Sequence, residues 1–203
     1  MKLIHKFKSL NYNKRNNKRI SFLILHYTAL PSVEDSIKYL CDKKNKVSCH
    51  YIISQNGKIY NLVSEKNRAW HAGQSTWLLE KDLNSVSIGI ELDFSTNNNN
   101  NKFSTLLIKS LISLLKYLKK KYKIDKKNIL GHSDIAPYRK IDPGETFPWK
   151  KLCNLELSYN PKKVSLMKSK KIRMWFKKNK IYSNKNKILI MLNCIGYDIS
   201  KSI

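Results

Sequence analysis

The sequence predicts an α/β domain in which helices pack on a mixed central β-sheet. Three observations predict it: short runs rich in β-branched and aromatic residues, leucine-rich runs with helical spacing, and an Asn-Gly turn between two β-type runs. They follow one another as strand, helix, hairpin, strand, helix, strand and loop, an order typical of one layered domain. A chain of 203 residues, 41% of them hydrophobic, is long enough to bury such a core.

The first predicted elements are a buried strand and a helix. Residues 20–27, ISFLILHY, form a nearly continuous apolar run, which favours a strand covered on both faces. Pro31 ends this run, and Ser32 is placed to cap a helix that extends to about Lys44. Asp35 adds a weak capping-box partner for Ser32.

A hairpin and a second buried strand follow. Residues 50–54 and 58–63 are β-type runs around Asn56-Gly57, a strong hairpin signal because both residues accept the positive φ of a tight turn. Residues 85–92, SVSIGIEL, are predicted as another buried strand.

A loop, a helix and a short strand complete the predicted sheet and its cover. The asparagine tract at 97–101 is low in complexity and is expected to be a solvent loop. From Ser104 to about Tyr122, leucine and isoleucine recur at helical spacing, with lysines at the C-terminal end, where they suit the helix dipole. Residues 128–130 form a short strand that leads into a polar loop.

Composition divides the chain into three regions. Residues 1–18 are expected to be a solvated basic arm, residues 19–155 the α/β domain, and residues 156–203 a helical extension. The extension carries two short helices, at about 164–178 and 185–194, and is too small to bury much core alone. We therefore expect it to lean on the domain or to stay mobile.

The charge balance is strongly basic, with 40 Lys and Arg against 14 Asp and Glu and a net charge of +26. Such a balance suits an acidic polymer or an anionic membrane surface, or it follows from composition alone. The lysines are spread over the whole chain, without aromatic-interleaved patches or a helix-turn-helix pattern, so nucleic acid is not an expected partner. There is no long uncharged apolar run, and no transmembrane helix is expected.

The cysteines and the N-terminal residues bear on metal type and compartment. None of the four cysteines forms a C-x-x-C pair, which argues against a cysteine-rich zinc site and favours reduced thiols. The apolar stretch near the N-terminus is too broken for a signal-peptide core and has no cysteine for a lipid anchor. A cytoplasmic location is the expectation, with the periplasm or cell envelope as the alternative.

Two places in the sequence carry side chains suited to metal chemistry. His26 lies at the C-terminal end of a buried strand, where it is either a group facing a crevice or a hydrogen-bonded core histidine. Residues 131–149 contain three prolines, fit no regular element and include His132 and Asp142. Together with His26 they would make a His-His-carboxylate set, the type that holds catalytic zinc. The alternative for Asp142 is a turn residue ahead of Pro-Gly.

Five short segments, each with a histidine or an acidic residue, occur in order along the chain: ILHYTA (24–29), SCHYIISQNGKIYNLV (48–63), RAWHAG (68–73), NSVSIGIELD (84–93) and GHSDIAPYRKIDPGETFPW (131–149). They closely resemble the zinc-dependent N-acetylmuramoyl-L-alanine amidases of the type 2 amidase family, which is related to peptidoglycan recognition proteins. The resemblance covers about residues 20–155, and the AmiD and AmpD branches look nearest. It implies the family's fold, a mixed central sheet flanked by helices, here with a short helical C-terminal extension.

The resemblance also implies roles for individual residues. His26, His132 and Asp142 match the zinc ligands, Glu91 matches the general base, and Lys140 matches the cation that steadies the developing oxyanion. A carboxylate entering from a buried strand, as Glu91 does, needs a metal, a partner or a pKa shift. Lys140 has a plain alternative as one of many solvated lysines.

Three further residues lie in motifs near the cleft that the resemblance implies. Tyr27 and His71 are expected on the substrate side, because a small-residue loop beside an aromatic can line a groove for a sugar or peptide. His50, within a hairpin strand, is expected to be structural. The sequence at 189–200 looks like the opening helix of a peptidoglycan-binding module, which makes 156–203 a candidate for a truncated module.

The implied activity is zinc-dependent hydrolysis of the amide between N-acetylmuramic acid, or its 1,6-anhydro form, and L-alanine in peptidoglycan or muropeptides. The alternative is a non-catalytic peptidoglycan-binding protein of the same fold. Retention of all three zinc ligands with Glu91 and Lys140 argues for the enzyme, since binding alone does not need them. Electrostatic association with an anionic wall or membrane is a possible addition.

Overall fold

The computed structural model describes residues 1–94, 102–159 and 166–199. Its strands are β1 (Leu3–Ile4), β2 (Tyr12–Lys14), β3 (Phe22–Tyr27), β4 (Tyr51–Ile53), β5 (Ile59–Asn61), β6 (Asn67–Ala69), β7 (Ser87–Leu92) and β8 (Ile129–Gly131). Its α-helices are α1 (Val33–Cys41), α2 (Leu83–Val86), α3 (Thr105–Tyr122), α4 (His132–Ile135), α5 (Trp149–Asn154), α6 (Leu166–Lys178) and α7 (Asn184–Ile195).

Six of these strands form one mixed sheet, which confirms the predicted fold class. Their order is β1-β5-β4-β7-β3-β8, and β4, β7, β3 and β8 run parallel to one another while β5 runs antiparallel to β4. The carboxyl ends of the parallel strands therefore meet at one edge of the sheet, the usual place for a site in an open α/β sheet. In the register there, His26 on β3 lies opposite Glu91 on β7.

The two faces of the sheet are covered by different helices. Helix α3 covers one face, in a core of side chains that include Leu23, Leu25, Ile53, Ile88, Ile90, Leu107, Leu111 and Leu114. Because side chains alternate along a strand, Phe22, Ile24 and His26 point to the other face. Helices α1, α2 and α4 pack on that face. His26 is thus the last residue of an otherwise apolar stripe.

The predicted helix cap and hairpin turn are present, with a difference in the turn. The Ser32 hydroxyl accepts the backbone N–H of Asp35 at 3.0 Å, so α1 begins as predicted, although it ends at Cys41. The expectation of positive φ at both Asn56 and Gly57 is wrong, because of the two only Gly57 has one, at 80°. A Cβ on Gly57 would also lie 3.1 Å from the Leu106 carbonyl oxygen. Both the positive φ and this close approach therefore favour glycine at position 57.

Residues 1–18 are mostly exposed, as expected of a solvated segment, but they are held against the domain at several points. Strand β1 pairs with β5, β2 pairs with β6, and the side chain of Arg15 is buried. The Arg15 guanidinium donates to the carbonyls of Asn67 at 2.7 Å and Ser85 at 2.6 Å, among others. Its donors are satisfied by backbone carbonyls of two other segments, and these bonds tie residue 15 to the domain.

The polar loop at 131–149 is not free of regular structure, which corrects a second expectation. Helix α4 occupies its first turn, and Asp134 closes that turn by accepting the Gly131 backbone N–H at 2.8 Å. Helix α5 begins at its last residue, Trp149. The asparagine tract at 97–101 lies outside the described residues.

The C-terminal extension contains the two predicted helices, α6 and α7, and the end of the second contacts the domain. Gly196 accepts the Leu78 backbone N–H at 2.9 Å, and the Tyr197 hydroxyl donates to Asp134 at 2.6 Å. The Tyr197 ring also packs on Trp77.

Within the described residues, no helix combines the length and apolarity that a membrane crossing requires.

Candidate metal centre and catalytic cleft

Three side chains converge at the carboxyl edge of the sheet. His26 ends the apolar stripe of β3, His132 is the first residue after β8, and Asp142 lies in the loop that follows α4. The Nδ1 atoms of the two histidines are 2.9 Å apart, and each lies 3.1 Å from Asp142 Oδ2. All three residues are buried. The sequence prediction that they form one set is met by this geometry.

The hydrogen bonds of the two rings indicate what they present to the centre. His132 Nε2 lies 3.1 Å from the Ala72 carbonyl oxygen, which only accepts, so Nε2 carries the hydrogen and Nδ1 has a free lone pair. Burial, and after it the neighbouring His132, lowers the pKa of His26 to about 4, so the His26 ring is neutral near pH 7.

This donor set fits a small cation. A metal about 2.0–2.1 Å from each of three tetrahedral ligands separates those ligands by about 3.3 Å, close to the distances observed. Without a cation, the lone pairs of nitrogen and carboxylate atoms would face one another at this range. Three protein ligands leave an open position, as in catalytic sites. His26, His132 and Asp142 are therefore the residues that could hold a metal.

The two histidines also affect the pKa of Asp142. Burial alone would raise its pKa, but the contacts with His132 and His26 outweigh burial and keep the pKa well below the ordinary range. One carboxylate next to two imidazoles is a ligand combination expected for a divalent metal. The alternative of a mere turn residue does not account for its burial between two histidines.

Glu91 lies on β7 beside His26 and is short of partners. Its side chain is half-buried, and the Oε2 atom is fully covered with no hydrogen bond among the described residues. Burial raises the pKa of Glu91 well above its ordinary value, and the charge of Asp142 adds to the rise, while Lys140 lowers it. A carboxyl group with a raised pKa next to a candidate metal centre holds its proton closer to neutral pH, which suits it to proton transfer.

The cleft above these residues has a volume of about 480 Å³. Lys140 and Tyr27 both line it, as do Tyr39 and Ile141. Lys140 is half-buried and stands two residues from Asp142, so the predicted placement of this cation on the cleft is met. Tyr27 is half-buried and follows His26 directly, so its predicted position beside the cleft is also met.

His71 lies deeper than its predicted substrate-side position. Its ring is buried, with Nδ1 3.1 Å from His26 Nε2 and Nε2 3.1 Å from Ser87 Oγ. It lines the cleft, but both ring nitrogens are engaged by protein.

His50 is structural, as predicted: it accepts the Gly89 backbone N–H at 3.0 Å, and its other nitrogen lies 3.1 Å from the Asn67 carbonyl oxygen.

Sequence reasoning missed three residues around this centre. Arg139 lines the cleft and donates to the Ala72 carbonyl at 2.5 Å, the same oxygen that His132 contacts. Asn84 accepts two backbone N–H groups of the segment at 71–72. Ser87 contacts His71. The period of two along SVSIGIEL, counted back from Glu91, places Ser87 on the face of the site and could have indicated it.

Known proteins with the same pattern exist in sequence and in structure. The family profile described as N-acetylmuramoyl-L-alanine amidase matches residues 16–145. The chain is 41% identical over 150 residues to N-acetylmuramoyl-L-alanine amidase AmiD of Escherichia coli, a match covering 66% of this chain and 52% of that sequence. This chain therefore spans about half the length of AmiD.

A second curated relative is matched over most of its length. The chain is 38% identical over 162 residues to 1,6-anhydro-N-acetylmuramyl-L-alanine amidase AmpD of Haemophilus influenzae, covering 70% of this chain and 86% of that sequence.

Solved structures agree. The E. coli AmiD complex with anhydro-N-acetylmuramic acid-L-Ala-D-gamma-Glu-L-Lys superposes with a TM-score of 0.76 at 29% identity, covering 98% of this chain and 78% of that one. The Pseudomonas aeruginosa AmpDh3 complex with anhydromuramic pentapeptide gives 0.74 at 30% identity, covering 97% and 80%. Sequence profile, relatives and fold agree, and the chain belongs to the N-acetylmuramoyl-L-alanine amidase family.

Proposed function

We propose that this chain is a zinc-dependent N-acetylmuramoyl-L-alanine amidase. It hydrolyses the amide bond between N-acetylmuramic acid, or its 1,6-anhydro form, and L-alanine. The observation that carries the proposal is the convergence of His26 Nδ1, His132 Nδ1 and Asp142 Oδ2 within 3.1 Å of one another, beside the unpartnered carboxyl group of Glu91. A binding protein gains nothing from a covered carboxylate oxygen without a partner, because its desolvation costs stability.

Zinc is the proposed metal, and its ligands are His26, His132 and Asp142. Two imidazoles and one carboxylate with an open position form a ligand set of the catalytic zinc type. When bound, zinc acts as a Lewis acid and lowers the pKa of water to about 7. The neutral His26 ring and the ionised Asp142 carboxylate are already in the protonation states that ligation requires.

Glu91 moves the proton in this scheme. It takes a proton from the attacking water as the water oxygen bonds to the carbonyl carbon, and it passes that proton to the nitrogen of L-alanine as the C–N bond breaks. The positive charge of a bound metal would bring the raised pKa of Glu91 down and favour the ionised form that accepts the proton. In the sheet register it lies opposite His26, one of the proposed ligands.

Lys140 provides the charge for the carbonyl oxygen. It lines the cleft next to Asp142, and its ammonium group would stabilise the negative charge that develops on that oxygen. A well-placed donor of this kind contributes roughly 3 kcal/mol to the transition state. The proposed binding surface for the sugar and stem peptide is the cleft wall that includes Tyr27.

Product analysis tests the activity directly. The protein is incubated with soluble 1,6-anhydro-N-acetylmuramyl-L-alanyl peptide and, in parallel, with polymeric peptidoglycan, and products are identified by mass spectrometry. We expect free stem peptide beginning with L-alanine, about one zinc per chain, and loss of activity on chelation that zinc reverses.

Two outcomes contradict this proposal. Tight binding of peptidoglycan without any cleavage by the zinc-loaded protein would establish the alternative, a non-catalytic binding protein. An active, folded protein that contains no zinc would overturn the metal assignment.

Attraction to an anionic polymer is a separate part of the proposal, motivated by the net charge of +26. Long-range attraction between exposed charges is screened over about 8 Å at physiological salt, whereas chemistry inside the cleft is screened much less. Raising salt from about 50 to 500 mM should therefore reduce co-sedimentation with insoluble wall several-fold and change turnover of a soluble muropeptide only slightly. Salt-independent co-sedimentation would assign the basic excess to composition alone.

A further inference from the structure

A chain of hydrogen bonds leads from the candidate metal centre back into the sheet. His26 Nε2 lies 3.1 Å from His71 Nδ1, and His71 Nε2 lies 3.1 Å from Ser87 Oγ. The Ser87 hydroxyl in turn donates to the Leu83 carbonyl oxygen. All three side chains are buried, so their partners are those of the folded protein and not solvent.

The direction of each hydrogen bond follows from the last acceptor in the series, the Leu83 carbonyl oxygen. The Leu83 carbonyl oxygen only accepts, so it takes the hydrogen of the Ser87 hydroxyl. Ser87 Oγ then faces His71 as an acceptor, and His71 Nε2 must carry a hydrogen. The His71 ring lies against the rings of His26 and His50, and no carboxylate is among its hydrogen-bond partners in the described chain. The neutral His71 ring therefore presents a lone pair at Nδ1.

This arrangement selects one of the two neutral forms of His26. An accepting Nδ1 on His71 requires a hydrogen on His26 Nε2, which leaves His26 Nδ1 with the lone pair that faces His132 and Asp142. The other tautomer would place a hydrogen between the three ligand atoms and would have to be lost before a metal could bind. We propose that Ser87 and His71 form a relay that holds His26 in its metal-ready tautomer, which makes both of them positioning residues.

The space for His71 is built into β7. Ser87, Gly89 and Glu91 share the face of the strand that carries the site. A Cβ on Gly89 would lie 2.3 Å from His71 Cγ, so the ring can lie against the strand only because residue 89 has no side chain. One face of β7 thus provides the end of the relay, the room for His71 and the proposed general base.

The backbone around His71 orients the second histidine ligand as well. The Ala72 carbonyl contacts His132 Nε2 at 3.1 Å, while the backbone N–H groups of His71 and Ala72 both donate to Asn84 Oδ1, at 2.9 and 2.8 Å. A single two-residue segment therefore sets the tautomers of both imidazole ligands, through a side chain for His26 and through a carbonyl for His132. Such outer partners typically change metal affinity by about 10–100-fold when removed.

The inference rests on the proposed metal centre, and zinc affinity tests it without reference to hydrolysis. Zinc affinity is measured by competition with a chromophoric chelator, for the native chain and for His71→Phe, His71→Asn and Ser87→Ala. We expect His71→Phe to lose about 10–100-fold in affinity, because phenylalanine cannot accept from His26. His71→Asn should recover most of it, since the asparagine Oδ1 can accept that hydrogen. Ser87→Ala should lose less than His71→Phe, because it frees the His71 tautomer but keeps the ring.

Ser9→Ala is the matched control. Ser9 is a buried serine that donates to the Leu40 carbonyl at 2.6 Å and bonds neither a proposed ligand nor a member of the relay, so its loss should leave zinc affinity unchanged. Nitrogen-15 imidazole shifts of the metal-free native chain provide a second test, in which His26 should carry its hydrogen on Nε2.

Native affinity in His71→Phe, or a hydrogen on Nδ1 of His26, would overturn the relay. If His71→Phe fails to fold, Ser87→Ala and the imidazole spectrum decide. A native chain that binds no zinc would refute the metal proposal, a result that is distinguishable from the failure of the relay.

Discussion

Two carboxyl groups near the central strands, Glu65 and Glu91, have opposite surroundings. Glu65 is buried and accepts hydrogen bonds from Tyr51, Tyr122 and Lys121. The Oε2 atom of Glu91 is covered and has no partner among the described residues. Both are glutamates near the same sheet. The difference between them therefore comes from the groups that surround each carboxyl group.

Their pKa values shift in opposite directions for this reason. Burial would raise the pKa of Glu65, but the three donors outweigh burial and lower it. Burial raises the pKa of Glu91, and the nearby Asp142 raises it further. Native proteins satisfy nearly all buried polar groups, so a covered carboxylate oxygen without a donor, next to three converging candidate ligand atoms, indicates a functional site at a cost in stability.

The largest expected effect comes from removing a metal ligand. His26→Ala should lose zinc and hydrolysis together, because two remaining ligands do not form a catalytic zinc site. Metal content by atomic spectroscopy and product formation by mass spectrometry are measured on the same sample. His5→Ala, at an exposed histidine, is the control and should keep both. Full turnover in His26→Ala would contradict the role of His26 as a metal ligand that hydrolysis requires.

Exchanging the unpartnered carboxyl group should separate chemistry from metal binding. Glu91→Gln should keep zinc and lower kcat by at least about 100-fold, the usual scale for a general base. Glu65→Gln is the matched variant and should leave kcat within a factor of about two, because Glu65 lies away from the cleft. Equal kcat losses in the two variants would contradict the division of roles between the two glutamates.

For the free energy of unfolding, the exchange of Glu65 should have the large effect that the exchange of Glu91 has on kcat. Glu65→Gln weakens the bonds from two tyrosines and a lysine and should lower the free energy of unfolding by about 1–3 kcal/mol in denaturant titration. Glu145→Gln, at an exposed glutamate, should change it by less than about 0.5 kcal/mol. An unchanged free energy of unfolding in Glu65→Gln would show that its donors find equal partners in water.

The pH dependence of unfolding is the smallest and most diagnostic effect. The lowered pKa of Glu65 means that its contribution is present above its unfolded value and is lost as pH falls through the folded value. The raised pKa of Glu91 has the opposite sign, so in metal-free protein its ionisation costs stability as pH rises above the unfolded value. The difference in unfolding free energy between wild type and Glu65→Gln should therefore shrink on acidification, and the cost of Glu91 relative to Glu91→Gln should grow with pH. Parallel curves would contradict the opposite shifts.

Much of the fold and the core of the site could be predicted from the sequence. The apolar run ending in His26, the Ser32 cap and the leucine spacing of α3 are local patterns, and local patterns determine helices and buried strands. The family resemblance predicted His26, His132 and Asp142 as one set, and the structure brings them together.

The sequence by itself determined which residues match the family's ligands, because a histidine at a strand end and a histidine and an aspartate in a proline-rich loop occur in the family's motifs. Only the tertiary structure decided how those groups are protonated and supported. The burial of Arg15, the path of His71 behind His26 and the lack of donors around Glu91 depend on contacts between residues that are distant in the chain. A hydrogen bond across such a separation leaves no periodic pattern in the sequence, whereas burial and hydrogen-bond direction are properties of the packed sheet.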